Sequence, residues 1–179
     1  MTRGTVMQSL GILRGLGRRG SAQRANAAVA VEQVQYLTFE MGAETYGVGI
    51  LSVREIIEYE APLSVPGLPS LLSGIINLRG AAVPVVELAA CLGRMSSELS
   101  KRTCILIIET LINGQAKDVG FIVDAVDEVL DIRLTDIDPP TVIGNDAAHP
   151  YLIGTAKVDG GFLILLDFRK LVEMYAGSF

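Results

Sequence analysis

The chain has 179 residues, half of them hydrophobic, with a net charge of −5, two cysteines, one histidine and no tryptophan. That is enough apolar material for one domain, or for two small units sharing a core, and too much for a disordered chain. Residues 1–31 carry Arg3, Arg14, Arg18, Arg19 and Arg24 and no acid, so the remainder holds 10 basic and 20 acidic residues; an acidic body excludes the basic patch that nucleic acid requires.

The basic segment, taken as 1–33, reads as a disordered extension. It contains Gly15-Leu16-Gly17-Arg18-Arg19-Gly20, a literal GxGxxG. A dinucleotide fingerprint also needs a preceding strand and a following helix, and Met7 to Arg14 is not a strand pattern. No apolar run reaches the roughly 20 residues of a membrane helix, which argues against direct membrane insertion.

Order is expected from Val34, with the folded domain over 34–179. Leu37, Phe39 and Met41 alternate with Thr38 and Glu40, and Tyr46, Val48 and Ile50 alternate after the turn Gly42-Ala43-Glu44; this is a β-hairpin. Leu51 to Tyr59 predicts a short helical turn, carrying Val53 and Glu55, that leads into a strand. Pro62, Pro66 and Pro69 then make an irregular connector. Residues 74–78 and 82–88 form a second hairpin, with Pro84 placing its strand at an edge or bulge. Glu87 to Leu92 fits one helical turn before a polar loop, 93–102.

Cys104 to Ile108 is a fully apolar strand, Asn113-Gly114 a turn signal, and Val119 to Val123 its return strand, followed by Val126 to Ile132. Residues 139–150 read as a loop. Leu152 to Val158 and Phe162 to Leu166 form the last hairpin. Asp167 caps a helix whose Phe168, Leu171, Val172 and Tyr175 make one apolar stripe, suited to plugging a barrel end. About ten short strands and one terminal helix predict an all-β fold of two barrels of about five strands each. No internal repeat is evident.

Catalytic chemistry is poorly provided for. The lone His149 precedes a proline, and there is no GxSxG, Walker A or HExxH pattern. No CxxC accompanies Cys91 and Cys104, so zinc has no ligand set and no metal or other cofactor is expected; both thiols read as core residues. Asp124, Asp127, Glu128 and Asp131 suit a solvated face, a surface for a basic partner, or less readily a divalent cation. Arg79 stands apart, at a hairpin tip that Asn77 and Gly80 shape. It is either a solvated side chain or an interface anchor, since a guanidinium bonds carboxylates and carbonyls through a fixed fork. Glu55 is its candidate acidic counterpart, with Val53 beside it, and Val53 alone suits the core.

Tyr36-Leu37-Thr38-Phe39, Glu44-Thr45-Tyr46-Gly47-Val48, Val53-Arg54-Glu55-Ile56, Gly74-Ile75-Ile76-Asn77-Leu78-Arg79-Gly80 and Val83-Pro84-Val85-Val86-Glu87-Leu88 resemble the CheW-like family of chemotaxis coupling proteins. Val119-Gly120-Phe121-Ile122-Val123-Asp124-Ala125-Val126-Asp127-Glu128-Val129-Leu130 is similar to the family's second-barrel hairpin, and the resemblance runs from about 34 to 176. It implies two packed SH3-like barrels of five strands, no enzymatic activity and a cytoplasmic adaptor. The implied partners are the regulatory domain of a CheA-type histidine kinase and the cytoplasmic tip of a methyl-accepting chemoreceptor. By position it implies partner contact at Val53, Glu55, Gly74 and Arg79, with Asn77 and Gly80 in the same motif, and less firmly at Val129 and Cys104. A paralogous coupler, for example of pilus motility, and a small-ligand-binding barrel are the alternatives.

Overall fold

The computed structural model describes residues 32–140 and 149–175. The GxGxxG of 15–20 and Gly144-Asn145-Asp146 lie outside them. Eleven strands occur among the described residues: β1 Gln33–Met41, β2 Glu44–Gly49, β3 Val53–Glu58, β4 Leu72–Leu78, β5 Ala81–Glu87, β6 Cys104–Ile112, β7 Gln115–Val123, β8 Ala125–Arg133, β9 Ile137–Asp138, β10 Leu152–Val158 and β11 Gly161–Leu166. Two short helices join them, α1 Leu88–Cys91 and α2 Phe168–Met174. The strands form a six-stranded sheet, β8-β1-β2-β11-β10-β9, and a five-stranded sheet, β3-β6-β7-β5-β4. The all-β reading holds, with one sheet a strand larger than expected.

Each sheet closes on its own apolar interior. Ile76, Val83, Val85, Ile105, Ile107 and Ile122 fill the five-stranded one, and Ile57 of edge strand β3 meets that cluster together with Leu78 of the opposite edge strand, β4. Tyr36, Ile132, Ala156, Leu163 and Leu165 fill the other. A third and larger core lies between the two and takes the alternate side chains: Leu37 and Phe39 of β1, Leu106 and Ile108 of β6, Phe121 and Val123 of β7, Leu166 of β11. This explains why β6 and β11 read as unbroken apolar runs. Both faces of these strands are buried, so the period-2 pattern disappears.

The lobes are intertwined. The first hairpin, β1-β2, belongs to the sheet built by the end of the chain, and β2 runs parallel to β11 with Gly47 opposite Leu165. In the other sheet β5 runs parallel to β7 with Val85 opposite Gly120. The correspondence continues. Gly74 and Gly154 each follow a register shift, in β4-β5 and β10-β11 respectively. Glu87 and Asp167 each donate a backbone N–H back to the residue before the hairpin, Leu71 and Tyr151. Gly74/Gly154, Glu87/Asp167 and Leu71/Tyr151 each lie 80 positions apart, so the β4-β5 and β10-β11 hairpins are an internal repeat. The sequence hid it because the paired residues differ in type: Arg79 matches Asp159, Ala82 matches Phe162, and Pro84 matches Ile164.

Three local expectations change. Glu55 and Val53 are on strand β3, and the helical turn before it is confined to Ile50–Ser52. Strand β5 is internal, flanked by β4 and β7. Pro84 is tolerated there because the pairing with β7 spans only Val85 to Glu87. Helix α2 does not plug a barrel. Asp167 caps it as predicted, accepting the N–H groups of Arg169 and Lys170 at 3.0 and 3.2 Å. Its Phe168 packs edge-on against Phe121 and Phe39, with ring centroids 4.6 and 6.0 Å away, in the core between the lobes.

Candidate functional site

The β4-β5 hairpin turns in two residues, Arg79 and Gly80, with φ of 52° and 86°. Two successive positive values define a type I′ turn, whose preferred first residue is Asn or Gly. Asn113-Gly114 makes the same turn between β6 and β7, with φ of 52° and 75°. Arginine therefore occupies a left-handed position that a residue with a side chain rarely takes, at a cost of about 1 kcal/mol or more. Asn77 compensates in part: its Oδ1 accepts the Gly80 N–H at 2.8 Å.

From this tip the Arg79 Nη2 donates to Glu55 Oε1 at 2.7 Å. The pair links the tip of β4-β5 to β3, the far edge of the same sheet, and so spans the closure of the barrel. The Arg79 side chain is 73% exposed and that of Glu55 27%. Solvent screening at that exposure leaves the pair worth about 0–1 kcal/mol to folding. The guanidinium remains open to a neighbouring molecule through its other N–H groups.

The other predicted residues divide. Val53 is buried at 8% and belongs to the core between the lobes, so its side chain offers a partner little surface. Gly74 is also buried. Its φ is 146°, and a Cβ there would fall 2.3 Å from the Leu63 carbonyl oxygen. Gly154 repeats this arrangement, with φ of 156° and the Asp138 oxygen at the same 2.3 Å. A role common to both lobes is structural. Val129 and Cys104 are half-buried and pack against the inter-lobe core.

These two belong to an apolar seam that the residue-by-residue reading missed. Ile56 of β3 pairs with Leu106, two residues along the same face from Cys104. The Cys104 thiol lies against the Val126 backbone. Val126 and Val129 face Phe39 and Leu37 on either side of a register shift in β8. Ile56, Cys104, Val126 and Val129 are all partly open. Ile56 and Val126 were legible only as ordinary strand residues, since nothing local shows that β3 and β8 flank the same core.

Within the acidic cluster, Asp124 and Asp127 fix loops. Asp124 Oδ2 accepts the Gly42 N–H and the Ser97 hydroxyl, both at 2.7 Å. Asp131 accepts from Gln35 at 3.0 Å. Arg102 reaches Glu40 at 3.1 Å and Asp127 at 3.5 Å, and Arg94 reaches Glu44 at 2.6 Å. The 92–103 loop of one lobe is thus strapped to β1, β2 and β8 of the other. Burial pushes the Cys91 thiol up to about 12 and raises that of Cys104. Both are poor nucleophiles at neutral pH. Among the described residues no three His, Cys, Asp or Glu side chains gather as metal ligands, and no helix is long and apolar enough to cross a membrane.

Comparison with known proteins agrees with this architecture. The chain is 30% identical over 139 residues to the chemotaxis protein CheW of Klebsiella aerogenes, covering 78% of this chain and 81% of that one. It is 29% identical over 152 residues to protein FrzA of Myxococcus xanthus, covering 84% and 92%. The crystal structure of the scaffolding protein TtCheW from Thermoanaerobacter tengcongensis superposes with a TM-score of 0.70 at 32% identity, covering 83% of this chain and 98% of that one. With the CheW-like domain family model matching residues 35–176, the chain belongs to the CheW-like domain family.

Proposed function

We propose that this protein is a non-catalytic adaptor of chemotaxis signal transduction, one that holds a chemoreceptor's cytoplasmic tip and the regulatory domain of a CheA-type histidine kinase together on one rigid body. Its place is the cytoplasm, at the membrane only through receptor assemblies. The observation that carries this is the Arg79 tip. A backbone cost is retained to hold an exposed guanidinium on a stiff two-residue turn, where it adds little to folding. A side chain fixed before contact loses less entropy on binding. The apolar seam of Ile56, Cys104, Val126 and Val129 supplies a second, complementary surface, and several weak contacts in an assembly add through multivalency.

The test is a pull-down, with calorimetric titration, of receptor and kinase fragments against Arg79→Ala and Arg79→Gly. Both variants should stay within about 1 kcal/mol of wild-type stability. Both should lose at least about tenfold in affinity, about 1.4 kcal/mol. Retained binding, or loss of the fold in place of loss of binding, overturns the reading. The likeness to protein FrzA favours a second reading, a coupler serving a paralogous chemosensory pathway. The same pull-down separates the two by which kinase and receptor are captured.

A further inference from the structure

We infer that the basic N-terminal segment, residues 1–31, docks on this chain's own apolar seam and competes there with a partner. The inference rests on the adaptor reading for what the seam binds, but the docking itself does not need a partner. Three observations lead to it. The seam is half-open: Ile56, Cys104, Val126 and Val129 pack on the inter-lobe core, and the described residues leave each of them partly exposed.

Its rim is acidic. Strand β8, which carries Val126 and Val129, also carries Asp127, Glu128 and Asp131. Among the described residues the one ion pair to these three is the long 3.5 Å contact of Arg102 with Asp127. The 1–31 segment is complementary. It has five arginines and no acid, interleaved with apolar Val6, Leu10, Leu13 and Leu16, while the rest of the chain nets −10.

The segment also starts in the right place. It joins the fold at Glu32, whose carbonyl accepts the Leu134 N–H at 3.0 Å, and Gln33 pairs with Arg133 at the end of β8. Val129 and Val126 lie a few residues back along β8, roughly 15–25 Å away at the rise of a strand. Thirty-one residues reach far beyond that. Local concentration then favours this chain's own segment over a free one, and a partner must displace it, which lowers the partner's apparent affinity.

The experiment uses the full chain and a full-length variant with Arg3, Arg14, Arg18, Arg19 and Arg24 replaced by Gln. Methyl NMR reads Ile56, Val126 and Val129 at the seam, with Ile105 and Leu163 in the barrel interiors as references. Seam resonances should differ between the two proteins while the references superpose. Raising salt from about 50 to about 500 mM should move the wild-type seam resonances toward the variant's, because exposed charge contacts are screened. The variant should also bind partner fragments several-fold more tightly. Superposed seam resonances overturn the proposal. So does a difference that vanishes on dilution, which places the segment on a second copy, and so does movement of the references. A seam difference with no partner bound by either protein supports docking while removing the adaptor reading.

Discussion

Replacing Gly74 with alanine should damage the fold before it touches any interface. The added Cβ would lie 2.3 Å from the Leu63 carbonyl oxygen and 2.8 Å from its carbon, distances no real Cβ keeps to backbone. The φ of 146° adds about 1–3 kcal/mol for a residue with a side chain. Relief requires Leu63 to move, and Leu63 exchanges two backbone hydrogen bonds with Ile75 at 2.8 and 3.0 Å. Losing both costs about 1 kcal/mol each. The sum is about 3–5 kcal/mol, a large part of the stability of an ordinary domain. Urea denaturation followed by far-UV circular dichroism measures it, and the thermal midpoint should fall on the order of 10 °C. Gly154→Ala should cost as much, because its Cβ meets the Asp138 oxygen at the same distance. Gly80→Ala, with open space around it, should cost only about 1 kcal/mol. If Gly74→Ala keeps wild-type stability and loses only partner binding, the structural account of this glycine is wrong and the residue is a contact.

Three other outcomes follow from local geometry. Asp167→Ala removes the side-chain acceptor for two helix-start N–H groups and should cost about 1 kcal/mol, read as a lower urea midpoint. Burial, with the nearby Asp124 charge, raises the Glu87 carboxyl above its ordinary value. The folded chain therefore holds that proton to higher pH than the unfolded one, so this group's contribution to stability falls as pH rises from 4.5 upward through the raised value. Glu87→Gln should flatten the slope of urea midpoint against pH, and an unchanged slope rejects the assignment. With both thiols raised by burial, a disulfide reagent at neutral pH should label the native protein slowly. Cys104 should react before the buried Cys91, and labelling of Cys91 first contradicts the packing.

Period-2 alternation and turn chemistry made most strands legible in the chain. Leu37 to Met41, the Asn113-Gly114 turn and the α2 stripe were each readable because their causes lie within a few residues. Arg79 was also legible as an exposed tip residue, and Gly80 as its positive-φ partner. The left-handed conformation of Arg79 itself was not, since it follows from the two-residue connection that pairs Leu78 with Ala81. Val53 and Gly74 show the opposite limit. The resemblance implied partner contact for both, and only packing shows one buried in the core between the lobes and the other pressed against Leu63.

The sequence alone determined that this is an all-β chain with a basic N-terminal segment and an acidic body, because composition and nearest-neighbour periodicity are local properties. Tertiary structure decided that β1-β2 joins the sheet of the last hairpin, that the β4-β5 hairpin is repeated by β10-β11 80 residues on, and that β3 and β8 border one apolar seam. Those facts depend on which of two apolar faces a strand turns to which core. A strand buried on both sides carries no pattern that says so.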